Sequence, residues 1–354
     1  MGTEFYSQRD KLNMERLDDV LAQLPSFCEE FFLGIKPQTT ALTRLNYAYD
    51  LRTFFSFLSA AVRQFKDVDA ARLTVRDLDD ITVTHIERFL DYLTYYEDNG
   101  KKYTCGQRAK ARKLSSVRAL FKYFFNKDKI KANTAAKITA PKLHDKEIIR
   151  LEADEVVRLL DQAEYAPDMT KSQQAFHNIT KLRDVAVLTL LLGTGIRVSE
   201  CAGLDVDDVD FSTNGFRITR KGGASVILYF SDEVAKALKN YFDVRLNDTA
   251  VPPKETALFL SLQNKRISVR ALQVLVKKYS GIVSPLKKIT PHKLRSTYGT
   301  SLYRETQDIY VVAEVLGHKD VNTTKKHYAA ISDDIRRAAA RKVVLRDSPH
   351  DKKS

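Results

Sequence analysis

Six residues in the second half of the sequence carry side chains that could act together on a phosphodiester. In chain order they are Arg197 in GTGIRVSE, Lys221 in TRKGG, His292 and Arg295 in PHKLR, His318 in LGHKD, and Tyr328. Two guanidinium groups can hold a phosphate through a fork geometry that lysine cannot supply. A lysine can protonate a departing alkoxide, histidines can donate or transfer protons near neutral pH, and a tyrosine hydroxyl can attack phosphorus. The set predicts phosphoryl transfer with a tyrosine nucleophile.

Several of these residues also have an ordinary structural explanation. Arg197 could pair with Glu200, which lies one helical turn further on. His292 could cap the helix that follows Pro291, and Lys221 could be an exposed turn lysine. Taken one at a time, these residues do not indicate a site.

Tyr328 is one of sixteen tyrosines, and in most tyrosines the ring packs against the protein while the hydroxyl group stays exposed to solvent. Tyr298, Tyr303 and Tyr310 lie at helical spacing among apolar residues, so we expect them to pack helices. They are the alternative nucleophiles if Tyr328 is not the one. For His327 we expect a surface or packing role.

Other catalytic chemistries lack their sequence signatures. There is no Walker Gly-x-x-x-x-Gly-Lys-Ser/Thr motif and no His-Glu-x-x-His pair, so we expect neither ATP, nor a metal, nor another cofactor. The acidic segment LDVDDVDF has no partner histidines, and we expect a solvated turn there. Its acids are Asp205, Asp207, Asp208 and Asp210.

Composition indicates a basic protein of the cytoplasm. The formal net charge is +13, and a basic surface of that size attracts polyanions, above all nucleic acid. Three dispersed cysteines form neither a disulfide framework nor a metal-ligand spacing, which is typical of a reducing compartment. No charged-then-apolar leader is present, and the run VAVLTLLLG is too short to span a bilayer. We therefore expect no membrane insertion.

The segment 101–127 concentrates positive charge without a single acidic residue. Apolar residues from Leu114 to Phe124 recur at helical spacing, so one face of a helix could pack while the other carries cations. A solvated face is the ordinary explanation, but the missing acids favour a phosphate-binding helix. The candidate DNA-binding residues are Lys101, Lys102, Arg108, Lys110, Arg112, Lys113 and Arg118.

The elements that must position the six residues belong to a mainly α-helical, two-domain chain. Residues 1–141 read as helices throughout, including TTALTRLNYAYDLRTFFSFLSAAV with an apolar stripe from Leu42 through Tyr49 to Leu58. The segment 142–149 has the composition of a linker. Residues 150–354 are predicted to form an α+β domain, with a buried helix, a Gly-Thr-Gly turn, a hairpin around Lys221 and further helices.

In order and wording, these motifs resemble the tyrosine recombinases, or phage-type integrases. The resemblance rests on TGIRVSE, RKGG, HKLR, LGHKD and the tyrosine ten residues after His318. It also rests on YAYDLRTFFSFL and KLSSVRALFKYFF in the first domain. Length, the TRKGG hairpin and ITPHKLR look most like the Xer branch, in particular single recombinases of the XerS type. Departures are Ser296, where the family commonly has histidine, and GASVIL after Gly222 in place of basic residues.

The resemblance implies a helical, SAM-like core-binding domain followed by a catalytic domain, and strand transfer through a 3′-phosphotyrosyl intermediate and a Holliday junction. It implies Arg197, Lys221, His292, Arg295, His318 and Tyr328 as catalytic residues. Glu200 would orient an arginine, with a plain salt bridge as the equal alternative. The implied partners are double-stranded DNA with a specific recombination site and a homo-tetramer on two sites, assembled through exchange of the C-terminal helix. An activating protein is left open.

Only about forty residues precede the predicted core-binding helices, which favours resolution of chromosome dimers at a dif-like site over an integrase with an arm-binding domain. An integrase or excisionase of a mobile element or prophage remains the alternative. A type IB topoisomerase-like enzyme and an inert DNA-binding regulator are further possibilities.

Overall fold

The computed structural model describes residues 2–66, 68–98, 100–143, 149–220, 224–317 and 321. The chain divides into two compact units, one comprising Thr3–Lys146 and the other beginning at Glu147. The division falls inside the predicted linker 142–149, of which residues 144–148 lie outside the described residues. No described helix is long and apolar enough to cross a membrane.

The first unit is helical with one small hairpin. Its elements are α1 (Gly2–Leu21), α2 (Phe27–Ile35), α3 (Ala41–Ala61), α4 (Val83–Tyr92), β1 (Tyr96–Asp98), β2 (Lys101–Tyr103) and α5 (Gln107–Phe125). A short 3₁₀ helix, Thr134–Lys137, occupies the predicted NTAAKI helix. Helices α3 and α5 pack together and bury aromatic residues such as Phe54 and Phe121 in the centre of the unit.

The predicted apolar stripe of α3 is partly wrong. Leu45 and Leu58 are buried, but Leu42 and Tyr49 are 46% and 38% exposed. Leu42 and Tyr49 are seven positions apart, so they share one face of the helix, and that face points to solvent. The buried face is set by Leu45, which belongs to the predicted stripe, together with Ala48 and Leu51.

The hairpin corrects the prediction that the first domain is helical throughout. Strands β1 and β2 are antiparallel, with Asp98 opposite Lys101 and Glu97 opposite Lys102. The signal was present in the sequence, because Asn-Gly at positions 99–100 is a strong hairpin-turn dipeptide and Gly100 has a φ of 74°. The predicted basic helix therefore begins only at Gln107, and Lys101 and Lys102 lie on a strand.

The second unit combines seven described helices with a three-stranded antiparallel sheet in the order β3-β4-β5. Its helices are α6 (Ala153–Tyr165), α7 (Lys171–Thr194), α8 (Val198–Ala202), α9 (Asp232–Asn247), α10 (Val269–Val283), α11 (Pro291–Thr306) and α12 (Ile309–Leu316). Its strands are β3 (Val209–Asp210), β4 (Gly215–Thr219) and β5 (Ser225–Tyr229). The long helix α7 is central and packs on α6, α9 and α11.

The hairpin predicted around Lys221 is present as β4 and β5, with Thr219 opposite Ser225. Strand β4 alternates between buried Phe216 and Ile218 and exposed Arg217, as expected for a strand with one face on the core. Residues 221–223 between the two strands lie outside the described residues.

The acidic segment LDVDDVDF is not a fully solvated turn. Asp205 is only 2% exposed, accepts a hydrogen bond from the Thr256 hydroxyl at 2.9 Å and pairs with the Arg266 guanidinium. Asp207 and Asp210 are exposed, as predicted. Within the described residues, no three His, Cys, Asp or Glu side chains cluster closely enough to hold a metal ion.

Candidate active site

Arg197 is positioned by the tight turn between α7 and α8. Gly195 has a φ of 61°, and a Cβ there would lie 2.5 Å from the Tyr298 ring, so both the backbone and the space favour glycine. Arg197 follows two residues later at the N-cap of α8. The motif GTGIR is therefore a turn that delivers Arg197 to a fixed point.

Glu200 holds Arg197 through both main chain and side chain. The Arg197 N–H donates to Glu200 Oε2 at 2.9 Å, and Arg197 Nη1 donates to Oε1 at 2.9 Å. Glu200 is 5% exposed, whereas the Arg197 side chain is 37% exposed. The ion pair expected as the structural explanation is thus present, and it also fixes the direction of a half-exposed guanidinium.

Arg295 lies on α11, whose first residue is Pro291. It is 6% exposed, and its Nη1 and Nη2 donate to the carbonyls of Gly195 and Leu316. Arg295 therefore connects the turn ahead of Arg197 to the end of α12. Because Arg197 directly follows that turn, the positions of Arg197 and Arg295 are linked.

Arg220 is a third arginine at this place, and it is not among the site residues predicted from the sequence. Its Nη2 donates to the Val315 carbonyl at 2.8 Å and its Nη1 to the Glu314 carbonyl at 3.4 Å. Burial is the main reason that its pKa is lowered, while the Glu200 carboxylate raises the pKa and the Arg197 charge lowers it. Because its partners are main-chain carbonyls, no residue type in the sequence pointed to it.

The three arginines converge on the C-terminal end of α12. Arg197 Nη2 donates to the Gly317 carbonyl at 3.1 Å, so the carbonyls of residues 314–317 each accept from a guanidinium. The last carbonyls of a helix lack intrahelical partners and form the negative end of its dipole, which favours cations there. Among the described residues of this cluster, the three arginines and the Glu200 carboxylate that pairs with Arg197 sum to a formal charge of +2. Such a cluster favours an anion.

His292 is exposed in the first turn of α11, three residues before Arg295 and on the same side of the helix. Thr290 occupies the N-cap position without a capping hydrogen bond from its side chain, and His292 is the second residue of the helix. Ser296, which stands where the family commonly has histidine, donates its hydroxyl to the His292 carbonyl at 3.0 Å.

Lys221, His318 and Tyr328 lie outside the described residues, as does His327. Two of them have described neighbours, because Arg220 directly precedes Lys221 and Gly317 directly precedes His318. Both neighbours belong to the arginine cluster. The structure thus brings together Arg197, Arg295 and the chain positions that adjoin Lys221 and His318.

The alternative tyrosines differ from one another. Tyr298 and Tyr303 pack against Val312 and Leu316, as expected, and burial raises the pKa of Tyr298. Tyr310 is 70% exposed, so the packing prediction is wrong for that residue. Its side chain lies on the outer face of α12.

Comparison with known proteins decides the family. The model of the phage integrase family matches residues 149–334. The chain belongs to this family. It is a Xer-like tyrosine recombinase, an enzyme that cleaves and rejoins DNA through a tyrosine intermediate.

Two relatives resemble this recombinase over most of its length. Tyrosine recombinase XerC of Caldanaerobacter subterraneus subsp. tengcongensis is 30% identical over 333 residues, which cover 91% of this chain and 87% of the relative. Tyrosine recombinase XerS of Streptococcus agalactiae serotype III is 28% identical over 354 aligned positions, which cover 93% of this chain and 98% of the relative.

Solved structures agree on the fold. XerH bound to palindromic difH substrate has a TM-score of 0.65 at 19% identity and covers 86% of this chain and 80% of XerH. A lambda integrase dimer bound to a COC′ core site has a TM-score of 0.60 at 17% identity and covers 85% of this chain and 94% of the integrase chain. The mainly helical fold with a small antiparallel sheet is therefore that of the tyrosine recombinases, as predicted.

The candidate DNA-binding cations of the recombinase fall into two groups. Lys101, Lys102 and Arg108 are exposed on β2 and at the start of α5. Lys110, in contrast, donates to the Thr94 hydroxyl at 2.8 Å.

The remaining candidates are held by the first unit itself. Arg112 and Lys113 both pair with the buried Asp50 carboxylate, and Arg118 donates to the carbonyls of Ala135 and Ile138. Asp50 is 62 positions from Arg112, so no local pattern in the sequence could reveal the pairing.

Proposed function

We propose that this tyrosine recombinase carries out Xer-type site-specific recombination, in which chromosome dimers are resolved at a short dif-like site. The support is the near-complete coverage of relatives named XerC and XerS. Double-stranded DNA is its substrate, and the cleaved strand is held as a 3′-phosphotyrosyl ester on the way to a Holliday junction. The cytoplasmic location expected from the sequence stays a prediction.

One observation carries the proposed active site. Arg197 and Arg295 come from different helices, yet both donate to carbonyls at the end of α12, directly before His318 in the chain. A phosphate that binds there would meet two guanidiniums already held in place. Preorganised donors of this kind stabilise the charge that develops in phosphoryl transfer without reorganisation at the moment of reaction.

The proposed roles follow from the chemistry of each group. The Tyr328 oxygen attacks the scissile phosphorus, the bond from phosphorus to O5′ breaks, and Lys221 gives a proton to O5′. His292 assists removal of the Tyr328 proton, because an ordinary phenol with a pKa near 10 is mostly protonated at neutral pH. Arg197, Arg295 and His318 stabilise the non-bridging oxygens, and Glu200 orients Arg197.

Rejoining reverses these steps with a new partner. The free 5′-hydroxyl of another strand attacks the phosphotyrosyl ester, a phosphodiester forms, and Tyr328 recovers its proton. Ester exchange of this kind conserves the bond energy, so we expect activity in EDTA and without ATP.

The proposed function also includes a division of the chain into domains and an assembly on DNA. Residues 1–141 form the core-binding domain, 142–149 the linker, and 150–354 the catalytic domain with an exchanged C-terminal helix. Exposed Lys101, Lys102 and Arg108 contact DNA phosphates. Recombination requires a homo-tetramer on two sites, and an activating protein would act on that assembly.

Trapping the covalent intermediate tests the active site. The full-length protein is incubated with nicked duplexes that carry candidate dif-like sites, and a denaturing gel resolves protein-linked DNA. We expect an adduct with the unmodified protein and none with Tyr328→Phe, which should still bind the same duplex. Tyr310→Phe is the matched control, because this exposed tyrosine lies in the same unit, and it should form the adduct normally.

An adduct that persists in Tyr328→Phe would reject Tyr328 as the nucleophile. The position of the cleaved phosphate then identifies the site. Recombination between two plasmid copies of that site, together with its presence once per chromosome, supports dimer resolution, whereas cleavage confined to the ends of an inserted element supports an integrase.

A further inference from the structure

We propose that Tyr103 is a specificity-determining residue, and that its ring contacts thymine methyl groups when the β1–β2 hairpin lies in the major groove of the DNA. The inference deepens the proposed function and rests on it, because it requires site-specific binding to duplex DNA. The contacts proposed above for Lys101, Lys102 and Arg108 are to phosphates, which carry no sequence information directly. A contact from Tyr103 to bases would add sequence recognition to the same hairpin.

Tyr103 is the outer end of a column of four aromatic rings. The ring centroid of the buried Phe57 lies 5.0 Å from that of Tyr92, which lies 5.5 Å from that of Tyr96. Tyr96 is paired with Tyr103 across the two strands, and their rings stack at 5.4 Å with 23° between their planes. Tyr96 is 8% exposed and Tyr103 is 41% exposed, so the column leads from the core of the first unit to its surface.

Stacking fixes the orientation of the Tyr103 ring before any partner binds. One face of the ring lies against Tyr96, so the exposed area is on the opposite face and at the edge of the ring. A side chain that is already ordered loses little conformational entropy on binding. Tyr103 therefore offers a preformed apolar contact surface on a strand whose three residues are all exposed.

The hairpin itself is held at two points. A two-stranded hairpin alone is only marginally stable in water, so its position depends on such support. The Cys105 N–H donates to the Leu93 carbonyl at 3.0 Å, which joins the segment after β2 to the end of α4. At the end of β1, Asp98 Oδ2 lies 3.7 Å from Arg52 Nη2 on α3. The ribbon can therefore present Tyr103 from a fixed position.

The face of the hairpin that carries Tyr103 is positively charged. Residues two apart in a strand share a face, so Lys101 lies beside Tyr103, and Asp98 is opposite Lys101. The Asp98 carboxylate is already paired with its partner on α3, which leaves the charge of Lys101 in excess. On the other face, Glu97 is opposite Lys102 and offsets it. The Tyr103 face is thus the one that complements a polyanion.

A charged ribbon with an exposed aromatic ring fits the major groove of duplex DNA. The groove admits a two-stranded β-ribbon, and it presents the C5-methyl group of thymine. Cations on the ribbon are attracted to the phosphates that border the groove. Apolar contact with the thymine methyl group is the base contact that an aromatic ring can make there.

Selection of binding sites from randomised duplexes measures sequence recognition without cleavage. The full-length chain is incubated with the library, and the bound duplexes are recovered and sequenced. We expect Tyr103→Ala to lose a preference for thymine at one or two adjacent positions and to keep the rest of the preferred sequence. Its affinity for the duplex that the unmodified protein prefers should fall by about 5- to 100-fold, the usual range for a base contact, and its affinity for unrelated duplexes by less than about twofold.

Replacing that thymine with uracil removes only the methyl group and tests the contact itself. The unmodified protein should lose affinity for the uracil duplex, whereas Tyr103→Ala should bind both duplexes equally, because two changes to one contact are not additive. Tyr103→Phe should keep the preference for thymine, since it keeps the ring. Loss of the preference in Tyr103→Phe would assign recognition to the hydroxyl and reject the methyl contact.

Phe125→Ala and Lys101→Ala are the matched controls. Phe125 is 43% exposed in the same unit, but it lies at the far end of α5 from the hairpin, so its loss should change neither the preferred sequence nor the affinity. Lys101 shares the face of Tyr103, and loss of its phosphate contact should weaken binding to all duplexes while the preferred sequence stays the same.

An unchanged preferred sequence in Tyr103→Ala would reject the inference, as would an equal loss of affinity for all duplexes. If the unmodified protein selects no preferred sequence, site-specific recombination is wrong and the inference falls with it. If it selects one but forms no covalent adduct on that duplex, only the proposed reaction fails. The failure of the inference and the failure of the proposed function are therefore distinguishable.

Discussion

Loss of the Asp50 carboxylate should destabilise the first unit. Its carboxylate is fully buried and accepts hydrogen bonds from Arg112 Nη1, from Lys113 Nζ at 3.2 Å and from Ser116 Oγ at 2.8 Å. Asp50→Asn preserves the shape of the side chain but removes the negative charge. The amide then turns either an oxygen or an NH₂ group toward two cations.

The size of the stability loss in Asp50→Asn follows from the exposure of the two cations. The Arg112 side chain is 51% exposed and can turn to water, whereas the Lys113 side chain is only 8% exposed. Leaving one partner of a buried ion pair uncompensated costs about 3–5 kcal/mol, and most of that cost should come from Lys113. We therefore expect Asp50→Asn to lower the free energy of unfolding of the first unit by about 3 kcal/mol or more.

Hydrogen exchange of α3 and α5 peptides, followed by mass spectrometry on the full chain, measures this loss in the unit concerned. A loss of 3 kcal/mol corresponds to exchange that is about 10²-fold faster, since each 1.4 kcal/mol is about tenfold in an equilibrium constant. Asp91→Asn is the matched control, because Asp91 is exposed in the same unit, and it should change stability by at most about 0.5 kcal/mol.

The double variant Asp50→Asn/Lys113→Met tests whether the Asp50 carboxylate stabilises the unit by compensating the buried Lys113 charge. Removing both charges should restore part of the lost stability, because no buried cation is left unpaired. If the double variant is no more stable than Asp50→Asn, or if Asp50→Asn behaves like Asp91→Asn, the buried charge is not what the carboxylate compensates.

Three further changes test other parts of the structure. Gly317→Ala should lower the free energy of unfolding by about 1–3 kcal/mol and slow adduct formation, because it strains a residue with left-handed backbone and displaces Arg220. Normal adduct formation would contradict this. Lys102→Ala should reduce the slope of log Kd against log salt by about 0.9, whereas Lys113→Met should leave the slope unchanged, as titration of DNA binding would reveal. Burial lowers the pKa of His177 below its ordinary 6.5, so its contribution to stability is full above that pH and is lost as the pH falls through the folded-state pKa. Urea unfolding of His177→Asn should therefore show a flatter pH dependence below about pH 6.5, and an unchanged dependence would contradict it.

How far the sequence predicts the structure depends on what each residue contacts. The hairpin at β4 and β5, the turn at Gly195 and the Arg197–Glu200 pair could be predicted, because their partners are near in sequence and their residue types are distinctive. The family could be recognised for the same reason, since its motifs are short and keep their order.

Contacts between distant segments could not be predicted in this way. The sequence places Arg112 and Lys113 on a basic helix, and nothing near them indicates that Asp50 will be their partner. Both residues were predicted to be candidate DNA contacts, but a cation that neutralises a buried carboxylate is not available in the same way as exposed Lys102. Charge runs indicate a function only after the internal pairs have been subtracted.

The arginine cluster shows a different limit, because its partners are main-chain carbonyls that every residue carries. Three neighbouring guanidiniums would repel one another, and the single charge of Glu200 does not balance them. The C-terminal carbonyls of α12 offset that repulsion and fix the orientation of each guanidinium group. The electropositive site is therefore assembled before any anion arrives. A phosphate that binds there gains interactions without first ordering long side chains, which is the condition under which charge stabilisation accelerates phosphoryl transfer most. The end of α12 is therefore as much a part of the proposed active site as the side chains that it holds.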